Sequence, residues 1–517
     1  MRSWSERALT VGLFVGVWGG VLGGGGAAHA AFTLTKIVDT ATAVPGPGTG
    51  LFSDFSDDDA VIDDGQVAFR ALDAAGDEGI FLFNGTGLEA VAFRLDPVPG
   101  VPSGQFLQFD EPAIEVTDAG AVVSFEGFFP NGREMAVSWL NGVSTALADN
   151  RTTVDPSTGA TFDFVNQARL SASASGVQAA FVNARDFFVG GRTGLYLVDE
   201  IGGISLLVDT DTPVPGRPDA SFFTFDGDVS FEGGIGVEAG YAVDNAPTTD
   251  EMLLIVQPDG ALTVVADTRS TVNPATGALL VDVAEPGIDG NVVAFGVEDA
   301  LGNEAVLTNL GGALSTVADQ TTAVPGQAGL TFDNFDADKA SIEGGRIAIE
   351  GRFNVTPGGA SEDEGVYVWD DGVLSRILDT TQTLDGRSLA ELDLSFDSAI
   401  SGDTVVFVAT FEDGGEAIYT ATLKAVAALT GDFNGSGSVE QGDLNLVLNN
   451  WGDMRTFDDG TTAFATDNVD QEELNRVLNN WGSSSAPSFA GFTVPEPGGL
   501  VILSGLAVSA SRRRGTE

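Results

Sequence analysis

A recurring landmark constrains this chain more than any other feature. A β-rich segment ends in Asp and runs into a Thr/Pro/Gly turn. It occurs as Ile37-Val38-Asp39 ahead of Val44-Pro45-Gly46. It returns as Leu147-Ala148-Asp149, Leu207-Val208-Asp209, Val265-Ala266-Asp267, Val317-Ala318-Asp319 and Ile377-Leu378-Asp379. A degenerate copy, Val91-Ala92-Phe93, precedes Val98-Pro99-Gly100. The period of about 50–60 residues falls in the range of propeller blades.

Each unit reads as about four short strands. An apolar strand, a Gly-containing turn and an alternating strand come first, as in Ala60-Val61-Ile62, Asp63-Asp64-Gly65 and Val67-Ala68-Phe69. A second hairpin follows, turning at Asn84-Gly85, Asn141-Gly142, Gly202-Gly203, Asp259-Gly260, Gly311-Gly312 or Asp371-Gly372. Gly and Asn supply the positive φ of tight hairpins. The array's two ends are complementary: residues 32–38 match the second strand of that hairpin, and residues 417–423 match the first. Pairing them completes a seventh blade and removes exposed sheet edges. The expected fold is therefore all-β, a seven-bladed β-propeller over residues 31–424 closed by the N-terminal strand.

Composition narrows the chemistry. The 517 residues carry 75 acidic and 23 basic side chains, a formal net charge of −52. Such a surface repels nucleic acid and anionic lipid and favours divalent cations. Cysteine is absent, which excludes disulfides, thiol nucleophiles and zinc–thiolate sites. The single histidine is His29.

His29 lies within an expected secretory signal peptide, residues 1–30. Arg2 and Arg7 precede an apolar stretch over 8–22, and Ala28-His29-Ala30 is a small-x-small cleavage site. A mature chain beginning at Ala31 then has no histidine, so Ser-His-Asp triads and histidine-ligated metals are excluded together. At the other end, Val494-Pro495-Glu496-Pro497 is followed by an apolar run over 500–510 and by Arg512-Arg513-Arg514. The run is short of the roughly 20 residues that span a bilayer. The tail, residues 494–517, resembles the PEP-CTERM sorting signal of exported bacterial proteins. That resemblance implies an exosortase-type sorting enzyme as partner, only transient membrane contact through the tail, and a destination at the cell surface, outer envelope or extracellular matrix.

After residue 424 the pattern changes. In a twelve-residue loop starting at Asp432, oxygen ligands fall at positions 1, 3, 5, 9 and 12: Asp432, Asn434, Ser436, Glu440 and Asp443. Gly437 stands at the sharp turn, and the Ser438 carbonyl serves position 7. Hard oxygen donors at this spacing suit Ca²⁺. The following residues Leu444, Val447, Leu448 and Trp451 share one helical face. A second copy over 469–482 mirrors the first, but Thr462 and Phe464 stand where its first ligands belong, leaving Asp470 and Glu473. The paired units resemble a dockerin type I module, which defines an α-helical segment over 425–482 and a linker over 483–493. That resemblance implies a protein contact, with a cohesin-like or surface-layer partner. Gln441-Gly442 and Gln471-Glu472 depart from the Ser/Thr pairs of cellulosomal members, which disfavours a cellulosome partner.

The recurring Asp residues are read as turn caps that accept backbone N–H bonds. Asp57-Asp58-Asp59 and the set Asp333, Asp336 and Asp338 are read as solvated loops before calcium sites. The leading functional expectation is a non-catalytic, exported surface or matrix protein whose propeller binds a partner such as a polysaccharide. A glycoside hydrolase or polysaccharide lyase working with carboxylates is the alternative.

Overall fold

The computed structural model describes residues 32–423 apart from 49, 111, 167, 174–175, 186–191, 244–249, 356–361 and 396–397. Beyond them it describes Leu444, Val447, Leu448, Leu474, Asn475, Val477 and Leu478. The described strands form seven antiparallel sheets, arranged as the blades of a β-propeller. Blades 1 to 6 take residues 52–93, 108–149, 169–209, 220–267, 280–319 and 334–379 in order, each an antiparallel meander.

Blade 7 draws on both ends of the array. Its inner strands come from residues 387–423, and the strand Phe32–Asp39 runs antiparallel to Glu416–Leu423 at its outer edge. Phe32 stands opposite Leu423 and Asp39 opposite Ala417, with one register shift between Lys36 and Val38. Lys36 Nζ ties the strand down through Asp385, 3.1 Å away, and also pairs with Asp39 of its own strand at 3.0 Å.

Among the described residues there are seven cores rather than one, each between two neighbouring blades. The cause is the two-residue period of a strand buried on both faces. In Gln66–Asp73, Val67, Phe69 and Ala71 pack toward blade 7 while Ala68 packs toward blade 2. In Arg346–Phe353, Ile347 and Ile349 pack toward blade 5 and Ala348 toward blade 7. The strands consequently read as near-continuous apolar runs.

An apolar pair spaced three residues apart opens the inner strand of each blade: Phe52/Phe55, Phe106/Phe109, Phe162/Val165, Phe222/Phe225, Leu280/Val283, Phe332/Phe335 and Leu389/Leu392. All fourteen are buried. In the four Phe pairs the ring centroids lie 5.3, 5.2, 5.0 and 5.0 Å apart. Gly127 and Gly351 on the adjacent strands make room for them. A Cβ there would lie 2.3 Å from Phe106 and 2.6 Å from Phe332.

In the second compact unit, Leu444, Val447 and Leu448 are helical, as are Leu474, Asn475, Val477 and Leu478. Val447 and Val477 are buried, Leu444 and Leu474 half-buried, and Leu448 and Leu478 more than half exposed.

Candidate functional site

The recurring Asp residues close turns. Asp39, Asp149, Asp209, Asp267, Asp319 and Asp379 each accept the backbone N–H two residues on, at 3.0, 2.7, 3.0, 2.9, 2.8 and 3.1 Å. In the degenerate copy Phe93 stands in place of that Asp, and Asp96 takes the place of the turn hydroxyl: its carboxylate accepts the Phe93 N–H at 2.8 Å, as Thr42 Oγ1 accepts that of Asp39 at 3.2 Å.

A different set of acids joins the blades. Where the inner strand of each blade begins, a Glu or Thr at the start of the preceding blade's third strand accepts its backbone N–H. The Phe109 N–H is taken by Glu78 (2.8 Å), Phe225 by Thr193 (2.9 Å), Phe335 by Glu304 (3.1 Å), Leu392 by Glu364 (2.7 Å) and Phe55 by Glu416 (2.7 Å). Glu134 and Glu251 stand at the equivalent positions toward the Val165 and Val283 N–H groups. The series of acceptors runs round all seven blade interfaces, including that from blade 7 to blade 1.

The other end of the inner strands repeats the device around the central channel. Asp63, Glu115, Ser171, Glu232, Asp289, Glu343 and Ser401 occupy one position in the seven blades, each one residue after the channel-lining apolar residues Ile62, Ile114, Leu170, Phe231, Ile288, Ile342 and Ile400. Asp63 accepts the Val116 N–H at 2.5 Å, Ser171 that of Gly233 at 3.0 Å, and Asp289 that of Gly344 at 2.8 Å. Glu343 accepts that of Gly402 at 2.9 Å and Ser401 that of Asp64 at 3.0 Å, while Glu115 takes Ala172. Blade 4 differs: the Gly290 N–H goes to the backbone carbonyl of Glu232 at 2.7 Å.

The cavity that Asp63, Glu115, Glu232 and Glu343 line with those apolar residues measures about 30 Å³, room for a few waters and too small for a sugar ring. Burial lifts the Glu115 carboxyl to about 7, with the Asp63 charge adding to it. Glu232 is raised to about 8, again chiefly by desolvation, then by Glu115, Glu343, Asp289 and Asp63. Its side chain is exposed in the channel, and water there offsets part of that desolvation. Asp63 and Glu343 are raised by desolvation as well.

A second charged cluster lies between blades 6 and 7 at the face where the inner strands begin. Lys339 Nζ stands 3.5 Å from Glu350, 3.3 Å from Asp393 and 3.8 Å from Asp336. Arg352 reaches Asp336 at 3.2 Å, Glu350 at 3.5 Å and Glu364 at 3.7 Å. Glu350 is wholly buried. Burial pushes its carboxyl up to about 7 although Lys339 opposes the shift, and burial also raises Glu364 to about 7. The buried Glu350 Oε1, Arg352 Nε, Asn334 Oδ1 and Asn354 Oδ1 make no hydrogen bond among the described residues. Asp336, read from sequence as a solvated loop residue, is thus held in an ion-pair network. Asp333 accepts from Asn354 Nδ2 at 2.7 Å.

The expected calcium ligands Asp432, Asn434, Ser436, Ser438, Glu440 and Asp443 lie outside the described residues, as do Asp470, Glu473, the sorting motif Val494-Pro495-Glu496-Pro497 and the cleavage-site residues Ala28 and Ala30. Among the described residues no group of three or more Asp, Glu or His is placed to hold a metal ion.

Fold and inter-blade rings together define a seven-bladed propeller sealed by carboxylate-to-backbone bonds. The chain belongs to DUF7453, a family of unknown function whose model matches residues 27–427. No curated protein matches it. Among solved structures it is similar to the β-propeller domain of the Trilobed protease from Pyrococcus furiosus, at 11% identity and a TM-score of 0.42, over 71% of this chain and 95% of that one. It is also similar to a polysaccharide lyase, at 10% identity and a TM-score of 0.40, over 77% of this chain and 99% of that one. A third is a lectin from Aleuria aurantia, at 10% identity and a TM-score of 0.32, over 63% of this chain and 96% of that one.

Proposed function

We propose that this protein is an exported, non-catalytic component of the cell surface or extracellular matrix. In this reading the propeller is a rigid disc that binds or displays, with the strand Phe32–Asp39 as the clasp of its ring. The segment 425–482 makes a calcium-stabilised docking contact, and the tail over 494–517 is handled by an exosortase-type enzyme. One observation carries the reading of the propeller. The carboxylates that recur from blade to blade are engaged with backbone N–H groups across the interfaces, so the acidic repeat positions serve rigidity. A calcium-loaded docking module would gain stability by mass action, since the ion binds the folded state alone.

A second reading, a carbohydrate-active enzyme, is favoured by Lys339, Glu350 and Asp393. A carboxyl held near 7 beside an ion-paired carboxylate is a pairing suited to acid–base chemistry. One experiment separates the two. The mature chain is screened on a glycan array with calcium and with chelator, and each bound polysaccharide is incubated with wild type and with E350Q. Binding without product formation supports the surface-binding role. Turnover by wild type that E350Q abolishes overturns it in favour of the enzyme.

A further inference from the structure

We propose that the carboxyl ring around the central channel is a proton-dependent clasp: the propeller closes most firmly while Glu115 and Glu232 carry protons, and it loosens as the medium turns alkaline. The geometry is the starting point. Five acids, Asp63, Glu115, Glu232, Asp289 and Glu343, share one repeat position around the channel, and all but Asp289 line its cavity of only about 30 Å³. The two remaining ring positions, Ser171 and Ser401, are neutral. The strongest charged influences on Glu115 and Glu232 are all acids, and Asp64 adds its charge beside Asp63. Arg169, on the inner strand between them, directs its guanidinium to the carbonyls of Val229 and Pro112, at 3.2 and 3.3 Å.

Four of these carboxylates have offsetting bonds across the blade interface, Glu115 among them through the Ala172 N–H. Asp63, Asp289 and Glu343 accept backbone N–H groups at 2.5, 2.8 and 2.9 Å, which favour the charged form. The blade 4 interface is bridged instead by the Glu232 backbone carbonyl. Ionising that side chain therefore adds a fifth like charge to the ring without strengthening its own interface.

The sign follows from linkage. A carboxyl whose value is higher in the folded than in the unfolded chain binds more protons when folded, over the window between the two values. For Glu115 that window runs from the ordinary 4.5 to about 7, and for Glu232 from 4.5 to about 8. Stability carried by these two groups is complete below the window and lost as pH rises through it. This opposes the usual trend of paired carboxylates, which lose stability on acidification.

The test is thermal unfolding of the full chain between pH 5 and pH 9 for wild type and E232Q. This side chain can be exchanged while all seven inter-blade bonds of the inner ring remain. The wild-type midpoint should fall by several degrees across the window. E232Q should melt higher than wild type at pH 9 and no higher at pH 6, a crossover that lost packing would not produce. E115Q, whose amide oxygen can still accept the Ala172 N–H, should flatten the slope in the same way. Midpoints lowered equally at both pH values, or an E232Q slope equal to that of wild type, would overturn the clasp. In the latter case the titration belongs to Glu251, Glu350 and Glu364, which are also raised to about 7.

Discussion

Replacing residues 32–38 with a Gly/Ser stretch of equal length should weaken the whole ring. Val38 is buried against blade 1, and Ile37 is partly buried in the same core. Phe32 and Leu34 are partly buried against blade 7. Full burial of a Val contributes about 1.5–3 kcal/mol, and three half-buried apolar side chains about half as much each, so the loss is about 4–7 kcal/mol. The strand Glu416–Leu423 also loses its antiparallel partner over six of seven register pairs, leaving an unpaired edge on blade 7. One kcal/mol moves the midpoint of a 150–250-residue domain by about 2–4 °C and a larger one by less, so a fall of about 5–10 °C is expected. Scanning calorimetry measures it, and limited proteolysis should show new cleavage within 387–423. An unchanged midpoint together with an unchanged digest would refute the reasoning, because the strand would then be an ornament on a ring that closes without it.

Glu304→Ala and Glu416→Ala each remove the acceptor of a bond between blades, to Phe335 and Phe55 respectively. Each should cost about 1.5–3 kcal/mol, read as a lower urea midpoint at unchanged slope, with no added loss on raising the salt concentration. Asp432→Ala combined with Asp443→Ala should abolish the heat of calcium binding in a calorimetric titration of the full chain and leave the propeller's melting unchanged. Calcium heat that persists in the double variant would remove these residues from the ligand set.

Much of the architecture was legible because it is repeated. The Asp-capped turns, the hairpin glycines and the complementary ends all stand in the sequence at one period, and the turn-cap reading of Asp39 and its equivalents matches the bonds they make. The two rings were not read, although their traces are present. Ile62-Asp63, Ile114-Glu115, Phe231-Glu232, Ile288-Asp289 and Ile342-Glu343 form an aligned series, and so do Glu78, Glu134, Glu251, Glu304, Glu364 and Glu416 ahead of their apolar strands. Each series is broken by hydroxyl residues, Ser171 and Ser401 in one and Thr193 in the other. Both are also hidden among 75 acids, so an acid at a given position carries little signal alone. The cluster of Lys339, Glu350, Arg352 and Asp393 was beyond reach for another reason. It joins two blades: Glu350 shares its repeat position with Glu126 and Glu238, and Asp393 its own with Asp110 and Asp336, but the repeat does not mark the Lys339 and Arg352 that gather them, so the fold brings the charges together.

The two rings share an asymmetry with a consequence for how such a chain can change over time. At most interfaces one partner is a chosen side chain, whereas the other is a main-chain N–H that nearly every amino acid possesses. Compatibility between neighbours is therefore written on one side only. As far as these bonds go, a blade that keeps its acceptor can sit next to a blade of almost any sequence, and a matched second change is called for only in the apolar core the two share. Loss of one acceptor costs one bond out of seven, and a hydroxyl can stand in for a carboxylate, as Thr193 and Ser171 do. Such a ring lets its members diverge independently while the circle they form persists.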